Sequence, residues 1–459
     1  MKKKLFAGLL MALVTMCVSI TAFALTDGDW EFQLLDDEVM ITGYLGDGGD
    51  VVIPEKIYGA PVTKVKCEIG KKFNNVTSLE YPGTVKEIHN NGVKAILENI
   101  VLNEGTEIID AYCLQNCNKL QSVHLPSTIK KIKERAFEGC ESLSSINLHS
   151  GIEEIYSGAF SRTAITELDL SVLSDDCIIN SSNFWGTFSG CKALKSVKFR
   201  PAETEIAAGM FMECTALENV EIPGTVTKIG YDAFYGCTSL SQIILPTSLE
   251  IIGPSAFAGT ALSEVVIPYG VKELRDGISG TFGNCENLKS LYIPDTVSYM
   301  EYGIISKSNN CIIYCSADSY AAKFCKKYNI SYLTDKSVNS IITVYYNGTR
   351  VSFHEYDQNP ELINNRTLVP LRAIFEAMGA DVHWDQATQT VTSTRKGVTI
   401  KLTIGDSALY KNGKSIPVDV PAQIINGRTM IPVRVIAEAF GADVDWNGNG
   451  RAVLINETI

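Results

Sequence analysis

Ala233-Phe234-Tyr235-Gly236-Cys237-Thr238-Ser239-Leu240-Ser241-Gln242-Ile243-Ile244-Leu245-Pro246 is the stretch that decides the fold, because its layout returns along the chain. Phe137, Phe160, Phe188, Phe211, Phe234, Phe257 and Phe282 recur at spacings of 23, 28, 23, 23, 23 and 25. A fixed period in this range marks a solenoid, in which each unit is too small to bury its own apolar groups and needs neighbours above and below. Leu120-Val123-Leu125-Pro126, Leu143-Ile146-Leu148, Leu217-Val220-Ile222-Pro223 and Leu288-Leu291-Ile293-Pro294 fill the same slots. Leu-x-x-Ile-x-Leu alternates inward and outward side chains at its end and reads as a short strand. The proline after it cannot donate a ladder hydrogen bond and ends the pairing. An apolar pair such as Val226 and Ile229 packs the return limb, and the Phe plugs the remaining gap.

About ten coils run from Val39 to Tyr332, so a right-handed parallel stack with a ~4.8 Å step would be on the order of 50 Å long. Two coils break the pattern. After Phe160 and Phe257 the usual Gly-Cys becomes Arg162-Thr163 and Gly259-Thr260, and the next strand arrives one residue early. Insertions at Ser171–Thr187 and Asp276–Thr281 read as side loops, the first carrying Trp185. Stacking also turns the outward residue of each strand into a column: Val101, His124, Asn147, Asp169, Lys198, Glu221, Ile244, Val266 and Tyr292. Its first part is polar, and Ile244, Val266 and Tyr292 form an apolar-aromatic run of the kind that marks interaction surfaces. Ordinary strand propensity explains the same residues, so His124, Asn147, Lys198, Glu221, Ile244, Val266 and Tyr292 are a candidate partner-binding face and the Trp185 loop a secondary one.

These repeats resemble the BspA-like leucine-rich repeats of bacterial surface proteins, over roughly Asp29 to Leu333. Ile41-Thr42-Gly43-Tyr44, Val51-Val52-Ile53-Pro54 and Pro61-Val62-Thr63 look like that family's N-terminal cap, and Ser319 to Asn329 like its terminal helix. The resemblance implies exposure at the cell surface and binding or adhesion, without naming a ligand.

Twelve cysteines follow residue 24, which in an exported chain first suggests disulfides. Cys117, Cys140, Cys191, Cys214, Cys237 and Cys285 instead share one slot, three residues after the Phe position. Stacked positions about 4.8 Å apart sit wider than the roughly 3.5–4.5 Å that bridged Cβ atoms want. Thr163 and Thr260 fill the slot in two coils, which points to a small, weakly polar requirement and a reduced column. Cys113/Cys117 and Cys311/Cys315 are paired in spacing, but no second pair or histidine makes either a zinc signature.

Beyond a polar link, 334–340, the period vanishes and another repeat replaces it. Asn364 to Trp384 returns as Asn426 to Trp446, with thirteen of 21 positions identical. Each copy reads as strand, turn, helix, strand. Asn347-Gly348 and Asn412-Gly413 are hairpin turns, Pro370 and Pro432 suit a helix's first turn, and Gly379 and Gly441 suit its left-handed C-cap. Arg372/Glu376 and Arg434/Glu438 stand at i,i+4 and read as surface or half-buried ion pairs holding the two copies together, with a recognition pair as the alternative. The segment Ile341–Glu457 resembles the copper amine oxidase N-terminal-like, or stalk, domain. That resemblance implies a spacer or wall-associated module and brings neither copper nor quinone, which belong to the oxidase's catalytic domain. The fold class expected is α+β: a parallel-stranded leucine-rich-repeat solenoid over 25–333, then a small duplicated α+β domain over 341–459.

Lys2-Lys3-Lys4, the apolar run Leu5 to Ile20 and Ala22-Phe23-Ala24 have the layout of a signal peptide ending at residue 24. Cys17 lacks the small neighbour that a lipoprotein site needs. No later apolar run is long enough for a membrane span. Without the three leader lysines, 37 Lys and Arg face 52 Asp and Glu, a net charge of −15 that repels nucleic-acid backbones. His89, His124, His149, His354 and His383 form no ligand or nucleophile–base pattern, and no hydrolase or phosphate-binding motif occurs. Asp36-Asp37 and Asp175-Asp176 read as solvated turns. A non-enzyme without a cofactor is expected, secreted or at the cell surface, with an extracellular protein or glycan as partner and a cell-wall polymer as a second candidate partner through 341–459. The alternatives are an envelope spacer working through the stalk domain and an unrecognised secreted hydrolase.

Overall fold

The structure is a computed structural model that describes residues 25–66, 75–89, 96–181, 186–334, 338, 342–347, 349–351, 353, 358–447 and 452–457. Its first part is a stack of parallel strands. Ser122 and Val123 lie beside Ser145 and Ile146 on one side, and Val123 beside Ile100 on the other, always in parallel register. Twelve such strands and an isolated bridge at Ile244 run from Gly49–Val52 to Tyr332–Thr334, more levels than the ten that the repeats announce. They fall into sheets of five, three and four strands. The interruptions lie between Ser145–Ile146 and Glu167–Asp169, and between Ile244 and Glu264–Val266. These are the two places where the sequence brings the strand one residue early.

The return limb, expected only as packing, is itself a ladder. Ile108–Ile109, Lys131–Ile132 and Glu154–Ile155 pair in parallel, as do Lys228–Ile229, Ile251–Ile252 and Glu273–Leu274 farther along. Between the two ladders the seven phenylalanines form one column of fully buried rings. Neighbouring centroids are 5.3–6.0 Å apart with planes within 16° of parallel. Each buried ring stabilises by roughly 1.5–3 kcal/mol, and stacking adds about 1 kcal/mol per contact.

The turn holding the Phe takes left-handed backbone two residues after it in all seven coils, and two residues before it in all but the Phe188 coil. Arg135 and Gly139 flank Phe137 with φ of 52° and 72°, and Asp232 and Gly236 flank Phe234 with 53° and 71°. Glycine is cheapest there, which accounts for the Phe-x-Gly-Cys signature. The next slot has its own reason. Cys140, Cys191, Cys214, Cys237 and Cys285 donate their thiols, each at 3.2 Å, to the carbonyl of the Phe-slot residue one coil earlier. Thr163 and Thr260 donate to the Phe carbonyl of their own coils, and Ser308 to that of Phe282. A small donor for a buried carbonyl is required, and Cys, Thr and Ser all supply one. All eleven described cysteines are buried and stand outside any disulfide.

Both ends of the stack are covered. Leu25–Asp27, Trp30–Leu35 and Glu38–Tyr44 form an antiparallel cap that joins the rest through parallel pairing with Ala60–Val65. At the far end the helix Tyr320–Tyr328 buries Ala321, Ala322, Phe324 and Cys325, starts on the Ser319 hydroxyl and stops at Asn329, φ 56°. Capping of this sort shields the open ends that every solenoid has.

The C-terminal unit has its own core, around Val344, Val369, Ile374, Ile400, Ile431, Ile436 and Ile455. The duplication appears as a central antiparallel pair: Val369 lies opposite Ile431, Leu368 opposite Pro432 and Pro370 opposite Met430. Val369 and Ile431 are equivalent positions of the two copies, so the copies meet across a local two-fold. Helices Leu371–Ala377 and Val433–Ala439 follow these strands. Pro370 and Pro432 stand one residue earlier than expected, closing the strand and serving as N-cap. Gly379 and Gly441 take the left-handed C-terminal positions, and Asn412-Gly413 turns a hairpin with both φ positive.

Candidate partner-binding face

The column read from alternate strand positions is in register within each sheet and is interrupted where the sheets are, before Asp169 and between Ile244 and Val266. Val101 lies beside His124, Asp169 beside Lys198, Lys198 beside Glu221, Glu221 beside Ile244 and Val266 beside Tyr292. His124, Asn147, Asp169, Lys198 and Glu221 are exposed, and Val101, Ile244 and Val266 are half-buried. Part of this polarity is spent between coils. Asn147 accepts from the Leu125 N–H at 2.7 Å and donates to its carbonyl at 2.9 Å, replacing a ladder bond. Lys198 reaches Asp169 at 3.8 Å. The Ser171 hydroxyl and N–H hold the Asp169 carboxyl below its ordinary range, helped by Lys198.

Tyr292 is a correction. Expected as an exposed aromatic, it is 4% exposed and stacks on Tyr314, centroids 4.7 Å apart and planes 18° from parallel. Outward position on a strand does not guarantee solvent when the next strand offers a ring to stack on. Trp185 lies outside the described residues, as does His354. The rest of the first insertion is pinned by a buried arginine. Arg200 donates to the carbonyls of Ser174 and Cys177 at 2.9 and 2.7 Å and to Glu203 at 2.8 Å.

The fold also assembles groups that the sequence left apart. Glu87, His89 and Asp110, from successive return limbs, bring their ligand atoms within 4.8 Å of one another, a convergence that the histidine spacing gave no sign of. The Lys133 ammonium already sits there, 2.6 Å from Glu87 and 3.0 Å from Asp110, while His89 Nδ1 is 2.7 Å from Asp110. Burial pushes the Asp110 carboxyl up, but His89 and Lys133 outweigh it and hold it low. A cation site is thus filled by the chain's own lysine, and the cluster is a coil-to-coil clasp.

The fold also forms two clefts that no sequence motif marks. In the C-terminal unit a cleft of about 870 Å³ is lined by Leu362, Pro417, Val418, Val433, Val435 and Trp446, with the Arg366–Asp419 ion pair on its rim. Trp446 is 43% exposed, whereas its counterpart Trp384 is half-buried and donates to Gln386 at 2.8 Å. Only the inequality of the two copies marks the place, and the repeat alignment hides it. The ion pairs Arg372–Glu376 and Arg434–Glu438 close within their own helices on exposed faces, so each adds little. The second cleft lies at the terminal helix, where Tyr320, Phe324 and Tyr328 follow at i, i+4 and i+8, a spacing that was visible.

No helix among the described residues is long and apolar enough to cross a membrane. The Copper amine oxidase N-terminal domain family matches residues 345–455. His383 is exposed on its strand and belongs to no cluster of metal-ligating groups among the described residues. The chain is 31% identical over 78 residues to the primary amine oxidase of Klebsiella aerogenes, 17% of this chain and 10% of that protein's length. Solved structures of similar architecture include a leucine-rich repeat protein from Bacteroides ovatus, with TM-score 0.47 and 16% identity over 73% of this chain and 97% of that one. A leucine rich cell surface protein from Faecalibacterium prausnitzii gives 0.40 and 21% over 70% and 97%, and the pneumococcal vaccine antigen PcpA gives 0.43 and 16% over 69% and 100%. The BspA type Leucine rich repeat region matches in six copies over residues 69–186, 185–279 and 278–365, well over half of the sequence, and the chain belongs to that family.

Proposed function

We propose that this protein is an exported, non-catalytic binding protein that displays its solenoid at the bacterial surface to engage an extracellular protein or glycan. The leader-like residues 1–24, the stack over 25–333, the link 334–340 and the duplicated unit over 341–459 are its parts in this reading. The observation that carries it is the run of exposed outward side chains His124, Asn147, Lys198 and Glu221, with Lys198, Glu221 and half-buried Ile244 in register on neighbouring strands and half-buried Val266 on the next sheet. Stacked coils hold such a column rigid, so little side-chain order is lost on binding. A second reading, in which the C-terminal unit touches a wall polymer, is favoured by the cleft beside Trp446.

The test is binding of the chain from Leu25 onward to glycan, matrix-protein and cell-wall arrays, repeated with Lys198→Glu/Glu221→Lys and with Trp446→Ala. Loss in the first variant alone places the partner on the column, and loss in the second alone places it on the C-terminal unit. A chain that binds nothing on any array would overturn both.

A further inference from the structure

The cleft at the solenoid's far end is built from three separate pieces of sequence. The return-limb strand Tyr299–Met300 and the residues after it supply Tyr299, Glu301 and Tyr302. The terminal helix supplies Tyr320, Lys323, Phe324, Lys327 and Tyr328. Asp276 comes from the insertion that lengthens its coil. The space is about 480 Å³, within the roughly 300–1,000 Å³ of small-ligand clefts.

Four tyrosines open onto it without being buried: Tyr302 is 66% exposed, and Tyr299, Tyr320 and Tyr328 are 36–42% exposed. Tyr302 and Tyr328 stand 5.2 Å apart with planes tilted by 54°, so their faces form a corner and not a packed stack. The carboxylates are held in place. Glu301 accepts from the Asp276 N–H at 2.8 Å and from the Tyr299 hydroxyl at 3.1 Å. Burial raises the Asp276 carboxyl, with Glu301 beside it, while the Asp276 N–H holds Glu301 low. The Lys327 ammonium lies over one face of the Tyr328 ring, 4.7 Å from its centroid, which leaves the other face for a ligand.

Aromatic faces set at an angle, next to fixed carboxylate acceptors and phenol hydroxyls, complement a molecule that has apolar C–H faces and a rim of hydroxyl donors. We infer that this cleft, formed by Tyr299, Tyr302, Tyr320, Tyr328, Asp276 and Glu301, binds a neutral pyranose unit of an oligosaccharide. C–H faces stack on Tyr302 and Tyr328, and hydroxyls donate to Asp276 and Glu301. A protein partner would need roughly 800 Å² of matching surface per side, which a cleft of this size does not offer. An added peptide strand would need an open sheet edge, and here the last return-limb strand is two residues long with the terminal helix packed against it.

The inference rests on the reading of the chain as a binding protein, but not on the strand column. The test uses the chain from Leu25 onward and titrates it with chitotetraose, cellotetraose and mannotetraose, followed by calorimetry and by tyrosine fluorescence. At least one should bind saturably. Tyr302→Ala and Glu301→Gln should each weaken that binding tenfold or more with an unchanged thermal melt, while Lys198→Glu/Glu221→Lys leaves it intact. Tyr302 is exposed, so its truncation leaves the fold in place, and the Tyr302→Phe variant, which keeps the ring, should retain most of the affinity. Absence of saturable binding by all three sugars overturns the inference, as does binding that survives Tyr302→Ala. Sugar binding lost only in the column variant would overturn it while leaving the proposed function standing. An array protein, and no sugar, that binds through these tyrosines would also overturn it.

Discussion

In the solenoid Phe234 stacks on Phe211 and Phe257, the same slot one coil back and one coil ahead, whereas in the C-terminal unit Val369 pairs with Ile431, the same slot of the only other copy. Translation leaves two open ends, so the solenoid needs a hairpin cap and a terminal helix. A two-fold closes on itself and needs none. The C-terminal unit gains a further closure, because Thr343–Tyr346 pairs in parallel with Ala452–Glu457, far along the chain. The lesson is that one device, repetition, gives a quasi-linear array whose stability is shared between neighbours in one region, and a single closed core in the other.

The largest effect should come from the Phe column. Phe234→Ala should cost about 3–5 kcal/mol, the range for a fully buried ring, as measured by urea denaturation. Hydrogen exchange should then quicken in the coils on either side of Phe234 and stay unchanged over 343–457. Equal quickening in both regions would break the contrast between array and closed core. Next, Arg200→Ala should cost about 3 kcal/mol, because it leaves Glu203 and two or three loop carbonyls without their buried donor. Limited proteolysis should cut the 171–187 insertion first, and an uncut loop would show that something else holds it.

In the closed unit, Glu457 ties the last strand to Tyr346, Lys396 and Arg395, and these bonds lower its carboxyl to about 2. Its contribution is therefore present above the ordinary value of 4.5 and is lost as pH falls from there toward about 2. Glu457→Gln should destabilise the unit by about 1 kcal/mol at pH 7, after allowance for solvent screening, and by less at pH 3. A pH-independent difference would remove the ionic account.

Asp232 has the opposite sign. Burial in its left-handed turn raises its carboxyl to about 6, so folding favours the protonated form. Any stability it lends is full below the ordinary 3.8 and is lost as pH rises through about 6. Asp232→Asn keeps the shape and tolerates the positive φ, and should raise stability by about 1 kcal/mol at pH 7, after the same screening, with no gain at pH 3. Thermal melts at the two pH values decide it. The smallest effect is expected at the thiol column. Cys214→Thr should stay within about 1 kcal/mol of the parent, since its hydroxyl can donate to the Phe211 carbonyl as Thr163 and Thr260 do to theirs, while Cys214→Val should cost more because it leaves the slot with no side-chain donor at all. Thiol counting should label the described cysteines only after unfolding.

What the sequence by itself determined is everything that repetition dictates. A constant period names the neighbour of every slot one coil away, so strand register, the Phe ladder, the reduced cysteines and even the two breaks in the sheet were legible from spacing. The C-terminal duplication likewise placed its two helices and their glycine caps. Tertiary structure alone decided what depends on residues that no period links. The Tyr292 ring is buried because Tyr314 happens to meet it, Lys133 fills the pocket between Glu87 and Asp110, and the tyrosine cleft joins an insertion, a strand end and a helix. The return limb became a second ladder because its backbone groups, once stacked, had to find partners, which an apolar pair in the sequence does not announce. Short-range pattern fixes who is adjacent along a repeat, and only the folded chain fixes which side chains meet across it.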